Sequence, residues 1–229
     1  MHENIIRLKA VALALKGLGQ EYVFVGGATV SLYATDPELA TEVRPTDDVD
    51  VVVELASYGG YAELDEKLRG MGFTNDIESG VICRYTIQGI IVDVMPTEPK
   101  VIGFSNKWYP EGFQSAVEHR LDDEVTIRRF SLVYFIATKW EAFKGRGKND
   151  YRTSKDFEDL VYVMENVNDF EEQMQEIPEH LKGYLHESFK DVLFTDAFEE
   201  GLYAHLTGGY RGLDANYIVL RLQQAFGIA

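Results

Sequence analysis

Cysteine is almost absent from this chain of 229 residues, since Cys83 is its single example. One cysteine cannot form an internal disulfide, and this fits a reducing compartment. Long apolar runs are absent too, because no stretch approaches the roughly 20 residues that a membrane span needs. We therefore expect a cytoplasmic protein with no membrane partner. Its composition, 45% hydrophobic and 26% charged, is that of a globular protein.

Basic residues are also few: 22 lysines and arginines face 38 acidic residues, which gives a net charge of −16. This balance argues against general binding to nucleic acids. The charge is uneven, however. Residues 126–155 hold eight basic and two acidic residues, so this segment carries +6 and the remainder −22. A local positive field on an acidic chain predicts a specific anionic ligand. The five histidines show no spacing typical of metal ligands.

The pattern of elements predicts an α/β part over about residues 1–130, followed by an all-helical part. A short strand, Tyr22–Val25, runs into Gly26 and Gly27 and then a short helix over Ala28–Ala34. Residues 49–55 form an apolar strand that we expect at the centre of a sheet. Gln88 and Gly89 separate two further strands in a tight hairpin. Helices are expected over 131–144 and 153–166, the second with a Thr153 cap, and acidic amphipathic helices after 168.

Three aspartates are the strongest chemical signal. Asp48 and Asp50 alternate along one strand, so they share a face, while Asp47 points away. Asp93 lies inside the apolar run IIVDVMP of a second strand. If the two strands are neighbours, the three carboxylates converge, and such a cluster needs a cation. Oxygen ligands favour magnesium or manganese, ions that can support phosphoryl or nucleotidyl transfer.

Each part of this pattern has a simpler interpretation when it stands alone. An Asp-x-Asp pair is common in loops and caps, and a strand aspartate such as Asp93 is often a salt-bridge partner. Gly-Gly after a strand is usually a turn. The combination of these features in one order rarely arises by chance. The order is a strand, Gly-Gly, a helix, a strand with Asp-x-Asp and a later strand with one Asp. Gly26 and Gly27 would let backbone amides approach a phosphate closely.

The helix over 131–144 carries Lys139 among apolar residues, so its charge requires a partner. Lys139 and Arg146 lie on one helix face and are candidates for phosphate binding. The simpler interpretation is a core lysine that extends its amine to solvent. Asp156 and Asp159 are either a cap and a surface acid or the residues that hold Lys139 or Arg146 in place. Trp140 and Phe143 are interpreted as core residues.

At these positions the sequence resembles the polymerase-beta-like nucleotidyltransferase superfamily. VGGATVSLY, TDDVDVVVE and IIVDVMP stand where that superfamily has its glycine motif, its paired aspartates and its third carboxylate. The segment FSLVYFIATKWEAFKGRGKNDYRTSKDFEDLVYVM is similar to the segment after the core in the AbiEii/AbiGii toxin family. The resemblance covers most of residues 21–165. It implies an α+β fold, with a mixed sheet and flanking helices in a core over 1–130. A helical C-terminal domain over 131–229 would complete the active site.

The resemblance also implies roles for individual residues. Asp48, Asp50 and Asp93 would bind Mg²⁺ or Mn²⁺, and Asp93 would help to activate the acceptor hydroxyl. A nucleoside triphosphate would be the substrate, held by Gly26, Gly27, Lys139 and Arg146. Two features depart from the family pattern: the interval from Gly27 to Asp48 is long, and Ala28 stands where many relatives have serine.

The acceptor stays open at this point. Some members of the resembled family modify tRNA acceptor ends and are restrained by an antitoxin, so an RNA acceptor and an antitoxin partner are implied. The acidic surface instead favours a small hydroxyl compound, as in antibiotic nucleotidyltransferases. A third alternative is a non-catalytic relative that binds a nucleotide. Under the RNA hypothesis, Arg128, Arg129, Lys144, Lys148 and Arg152 would form a track toward Asp93.

Overall fold

The structure is a computed structural model that describes residues 2–55, 57–147, 149–206 and 214–229. The chain divides into two compact units. The first comprises Met1–Thr29 and Arg44–Phe135, and the second comprises Val30–Val43 and Ile136–Ala229. These units describe packing, so the division into domains 1–130 and 131–229 stays a prediction.

The first unit is built on a seven-stranded mixed sheet. The strands in chain order are β1 (Tyr22–Val25), β2 (Asp48–Val53), β3 (Thr74–Asn75), β4 (Arg84–Ile87), β5 (Ile90–Pro96), β6 (Val117–Arg120) and β7 (Thr126–Arg129). They lie in the order β3-β4-β5-β2-β1-β7-β6. The pairs β2–β5 and β1–β7 are parallel, and the other four pairs are antiparallel.

The centre of the sheet is apolar on both faces. Phe24, Val51, Val52 and Val92 have no exposed surface. Continuous apolar runs of this kind are typical of strands covered on two sides. β2 lies between β1 and β5, so the prediction of a central strand at this position is confirmed. The hairpin prediction is confirmed as well, because β4 and β5 pair across Gln88 and Gly89.

Helices flank the sheet within the first unit. They are α1 (Glu3–Ala14), α2 (Tyr58–Gly70), α3 (Pro99–Ile102) and α4 (Tyr109–Gln114). A 3₁₀ helix, Gly27–Tyr33, follows β1 where the sequence predicts a short helix; it begins in the first unit and continues into the second. The sequence pattern missed α3, α4, β3 and β6. Each spans six residues or fewer, too short to show a period.

The described part of the second unit is helical apart from its loops. Its helices are α5 (Leu132–Arg146, of which the first four residues belong to the first unit), α6 (Lys155–Asn166), α7 (Phe170–Gln173), α8 (Glu179–Lys190), α9 (Asp196–His205) and α10 (Ala215–Phe226). Aromatic rings form much of its core: the rings of Trp140 and Phe189 lie 4.4 Å apart, and those of Phe143 and Phe157 lie 5.5 Å apart. The interpretation of Trp140 and Phe143 as core residues is confirmed. A mixed sheet with flanking helices, followed by a helical C-terminal part, agrees with the predicted fold class.

The cap of α6 corrects one prediction. The capping residue is Ser154, whose side chain accepts a hydrogen bond of 3.3 Å from the Phe157 amide. Thr153 instead donates its hydroxyl to Asp150 Oδ2 at 2.6 Å, and its amide to Asp150 Oδ1. The cap therefore lies one residue later than predicted and the helix begins at Lys155, because Asp150 holds Thr153 in the preceding turn. Within the described ranges, no helix combines the length and the apolar character required to cross a membrane.

Candidate active site

A row of directly paired residues crosses four strands of the sheet. Val25 of β1 pairs with Asp50 of β2, Asp50 pairs with Asp93 of β5, and Asp93 pairs with Arg84 of β4. Residues paired in this way point to the same face of a sheet. Asp48 lies two positions before Asp50 on β2, so it shares that face. The strands that carry the three aspartates are therefore neighbours, which was the condition set in the sequence analysis.

Arg84 provides a positive charge between these carboxylates. Its Nε lies 2.8 Å from Asp93 Oδ1, and its Nη2 lies 2.8 Å from Asp93 Oδ2. The same Nη2 lies 3.4 Å from Asp48 Oδ2. The bidentate hydrogen bond to Asp93, together with the nearby carboxylate charges, raises the pKa of the Arg84 guanidinium above its ordinary value. The Asp93 side chain is only 11% exposed, so its charge needs this compensation.

The glycine turn after β1 packs directly against Asp50. Gly26 has a φ of +75°, and a β-carbon at this position would lie 1.9 Å from Asp50 Oδ2. Thr29 closes the turn, because its amide and its hydroxyl both donate to the Gly26 carbonyl, at 3.2 Å and 2.9 Å. Glycine is required at position 26 for two reasons, the left-handed backbone and the close carboxylate. The glycine motif and the aspartate pair thus form one local structure.

A buried asparagine fixes the backbone that leads into β2. Asn4 of α1 accepts a hydrogen bond of 2.9 Å from the Thr46 amide and donates to the Arg44 carbonyl at 3.2 Å. The Thr46 hydroxyl in turn donates to the Asp48 carbonyl at 3.0 Å. These contacts hold Asp48 at the start of its strand. The sequence analysis missed both Arg84 and Asn4. Arg84 could have been found by counting residues outward from the hairpin turn, whereas Asn4 carries no local signal.

A groove of about 440 Å³ lies beside Arg84 in the first unit. Its walls combine acidic, basic and apolar side chains: Asp65, Arg69, Asn75, Asp76, Ile77, Gly80, Val81, Ile82 and Arg84. Asp65 belongs to a hydrogen-bonded network, since it accepts from Asn75 at 2.7 Å and from the Tyr85 hydroxyl at 2.9 Å. The groove therefore joins the carboxylate row through Arg84, which borders both.

Lys139 lies in a buried ion cluster of the second unit. Its Nζ is 3.1 Å from Asp156 Oδ1 and 2.7 Å from Asp159 Oδ2. Arg146 reaches the same Asp156 through Nε, at 2.7 Å from Oδ2, and through Nη2, at 2.8 Å from Oδ1. The two aspartates thus hold Lys139 and Arg146, one of the alternatives drawn from the sequence. The roles of Lys139 and Arg146 toward a triphosphate stay predictions.

The pKa of Asp156 shows the electrostatic effect of this cluster. Burial by itself would raise the pKa of Asp156. The hydrogen bond from Arg146 and the charge of Lys139 outweigh burial and lower this pKa from the ordinary 3.8 to about 2. Asp156 is therefore held in its charged form across the physiological range.

Several basic side chains of the +6 segment have acidic partners within their own unit. Arg128 Nη1 lies 2.7 Å from Glu21, Lys144 Nζ lies 2.7 Å from Glu141, and Arg152 Nη1 lies 3.8 Å from Glu200. Arg129 donates to the Phe130 carbonyl at 3.1 Å. Lys148, which the sequence analysis placed in the RNA track, lies outside the described residues. The track as a whole stays a prediction.

In the described part of the chain, no group of three or more His, Cys, Asp and Glu side chains is arranged to hold a metal ion. Arg84 engages both oxygens of Asp93 and approaches one oxygen of Asp48. The donor set itself, three carboxylates on one face of adjacent strands, is of the kind that Mg²⁺ and Mn²⁺ prefer.

No protein-family model matches this chain, and no curated protein matches it. Among solved structures, the chain is similar to the crystal structure of an antigenic nucleotidyltransferase-like protein from Paracoccidioides brasiliensis. The two share 16% sequence identity and a TM-score of 0.48, over 89% of this chain and 94% of that chain. A likeness at this level establishes neither family membership nor activity, so the resemblance to the AbiEii/AbiGii toxin family stays a prediction.

Proposed function

We propose that this chain is a divalent-metal-dependent nucleotidyltransferase, which moves a nucleoside monophosphate from a nucleoside triphosphate to an acceptor hydroxyl. One observation carries the proposal: Asp50 and Asp93 are paired on adjacent parallel strands, with Asp48 on the same face. The turn at Gly26 packs against Asp50. Metal-binding carboxylates and a close-approaching glycine backbone are what a metal–triphosphate site requires.

The chemistry of the donor set supports the metal that this reaction needs. Asp48, Asp50 and Asp93 offer oxygen ligands alone, which favours Mg²⁺ or Mn²⁺ over zinc. When bound, the ion would neutralise charge on the phosphates and polarise the α-phosphate. Asp93 would draw the proton from the acceptor hydroxyl, whose oxygen forms the new bond to the α-phosphorus while the bond to the departing pyrophosphate breaks. The backbone at Gly26 and Gly27 would hold the triphosphate.

For the acceptor, we favour an RNA hydroxyl such as a tRNA end, with the protein as a toxin that an antitoxin restrains. This choice follows the resemblance of residues 130–164 to the toxin family and the +6 charge of residues 126–155. The net charge of −16 favours the alternative, a small hydroxyl compound. Nuclease treatment distinguishes the two acceptors, because only a labelled RNA product would be degraded by it.

The test incubates the protein and Mg²⁺ with each nucleoside triphosphate, labelled at either the α- or the γ-phosphate. Total tRNA and a small-molecule cell extract are the two acceptor pools. We expect α-label, and no γ-label, to enter the acceptor, and Asp50→Asn to abolish this transfer. Asp47→Asn is the matched control, because this exposed neighbour undergoes the same change in charge and lies just before the strand that carries Asp48 and Asp50. A protein that binds triphosphates but transfers no label to either pool would be a non-catalytic relative.

A further inference from the structure

Arg84 contacts Asp93 and Asp48, two of the carboxylates that would hold the metal ion of the proposed function. Its Nη2 lies 2.8 Å from Asp93 Oδ2 and 3.4 Å from Asp48 Oδ2. On the basis of the proposed function, which places a divalent ion at these carboxylates, we propose that Arg84 competes with that ion for Asp93 and Asp48. The site then accepts a metal only as the guanidinium withdraws.

Two physical arguments support competition over simultaneous binding. Each Asp93 oxygen lies 2.8 Å from an Arg84 nitrogen. Because a magnesium ion takes ligand oxygens at roughly 2.0–2.1 Å, an ion bound by Asp93 would lie no more than about 5 Å from the guanidinium. The guanidinium and the ion are both positive, and they would repel each other strongly at that separation. Both oxygens of Asp93 are already engaged by Arg84. The carboxylate would have to exchange at least one of these hydrogen bonds for a metal bond.

The structure also offers a place for the displaced guanidinium. Arg84 lines the groove of about 440 Å³, whose walls include the acidic residues Asp65 and Asp76. The Arg84 side chain is already 24% exposed. Arg84 could therefore turn away from Asp93 into a hydrated space that still contains negative charge. Such a site would be stable without metal, because the guanidinium neutralises the carboxylates. The larger the fraction of molecules in which Arg84 is paired with Asp93, the weaker the apparent metal affinity would be.

The experiment is a calorimetric titration of Mn²⁺ into the wild type, Arg84→Gln and Arg69→Gln. Arg69 is the matched control because it lines the same groove but pairs with Asp65 at 3.0 Å. If Arg84 is paired in nine molecules of ten, Arg84→Gln should bind Mn²⁺ about tenfold more tightly than the wild type. Arg69→Gln should bind as the wild type does. Equal or weaker Mn²⁺ binding by Arg84→Gln would overturn the proposal and make Arg84 a residue that positions Asp93.

Thermal unfolding keeps the test decisive if Arg84→Gln folds poorly. Without metal, this variant should melt below the wild type, because Asp48 and Asp93 lose their counter-charge. Mn²⁺ should raise its melting temperature by more than it raises that of the wild type, since a ligand stabilises the state it binds more tightly. Equal shifts would contradict competition. Neither readout needs catalysis. If Arg84→Gln binds Mn²⁺ more tightly but the wild type transfers no label, only the proposed function fails. If the wild type transfers label but Arg84→Gln binds Mn²⁺ no more tightly, only the competition fails.

Discussion

Asp50 lies between the glycine turn and the second aspartate strand. On one side its carboxylate touches the α-carbon region of Gly26, and on the other it is paired with Asp93. A single residue therefore couples the part of the site that would bind phosphate to the part that would bind metal. At the scale of residues, the shape of this site depends on the absence of a side chain at position 26 as much as on the carboxylates.

Replacing Gly26 by alanine should destabilise the protein more than the same change at Gly17. Both residues have positive φ, +75° at Gly26 and +102° at Gly17. An alanine with a left-handed backbone costs about 1–2 kcal/mol of folding free energy at either position. At Gly17 the new β-carbon would meet no atom of the described residues within 4 Å, whereas at Gly26 it would collide with Asp50. Urea unfolding of the two variants measures the difference.

The collision can be isolated by a second substitution. Asp50→Ala in the Gly26→Ala protein should recover part of the lost unfolding free energy, because it removes the atoms that the β-carbon meets. Equal losses for Gly17→Ala and Gly26→Ala would contradict the close packing of Gly26 on Asp50.

At the scale of elements, helices α5 and α6 are joined by the buried ion cluster of Lys139, Arg146, Asp156 and Asp159. The side chains of Lys139, Asp156 and Asp159 are 8%, 5% and 3% exposed, so water cannot replace their partners. The Arg146 side chain is 73% exposed and reaches Asp156 from the surface. The cluster is a charge-balanced contact between two helices, buried at three of its members and exposed at Arg146.

Lys139→Met should lower the free energy of unfolding by about 3–5 kcal/mol, the usual cost of removing one partner from a buried ion pair. The loss arises because Asp159 and Asp156 remain buried with less compensating charge. Lys190→Met is the control, since Lys190 forms a surface pair with Glu187 on α8 and its loss should change stability far less. Guanidinium unfolding gives both values. A Lys139→Met protein as stable as the control would contradict the structural role of the cluster.

The same cluster predicts a pH dependence of stability. The pKa of Asp156 falls from 3.8 to about 2 on folding, so its contribution is fully present above pH 3.8 and is lost as the pH falls through 2. The difference between these two pKa values corresponds to about 2 kcal/mol. Unfolding free energies measured between pH 6 and pH 2 should therefore decline less steeply for Asp156→Asn than for the wild type. Parallel curves for the two proteins would show that Asp156 does not carry this dependence.

The hairpin shows how far sequence reasoning reaches at this scale. Gln88 and Gly89 both have positive φ, +51° and +79°, as a two-residue turn of the primed type requires. Such a turn fixes the register, because three positions outward from Ile87 and Ile90 it places Arg84 opposite Asp93. The strands, the turn and the carboxylate face could be predicted from local pattern. The same turn also fixes the pairing of Arg84 with Asp93, which our sequence analysis missed because it considered only the acidic residues.

Other features could not be predicted, for reasons of distance and length. Asn4 meets Thr46 from 42 positions away, and no local pattern encodes a contact of that kind. The competition between Ser154 and Thr153 for the cap of α6 was decided by Asp150, which takes the Thr153 hydroxyl. The partners of Lys139 were predicted only as one alternative, because helix periodicity places Asp156 and Asp159 near one face but does not say what they meet.

At the scale of the whole molecule, charge and chemistry are distributed unevenly. The chain carries −16 overall, yet residues 126–155 carry +6. The three carboxylates of the candidate site belong to the first unit, and the Lys139 cluster belongs to the second. Under the proposed function, such an acidic chain would bind a triphosphate against its own net field, and a bound divalent cation would offset that repulsion.

The central claim is that the Asp48, Asp50 and Asp93 face is a metal–triphosphate site. The most direct measurement is the calorimetric affinity of a non-hydrolysable nucleoside triphosphate, with Mg²⁺ and with EDTA, for the wild type, Asp50→Asn and Asp47→Asn. We expect binding by the wild type and Asp47→Asn that requires Mg²⁺, and a loss of at least about tenfold, or 1.4 kcal/mol, for Asp50→Asn. Equal affinity in EDTA, or for Asp50→Asn and the wild type, would contradict the claim.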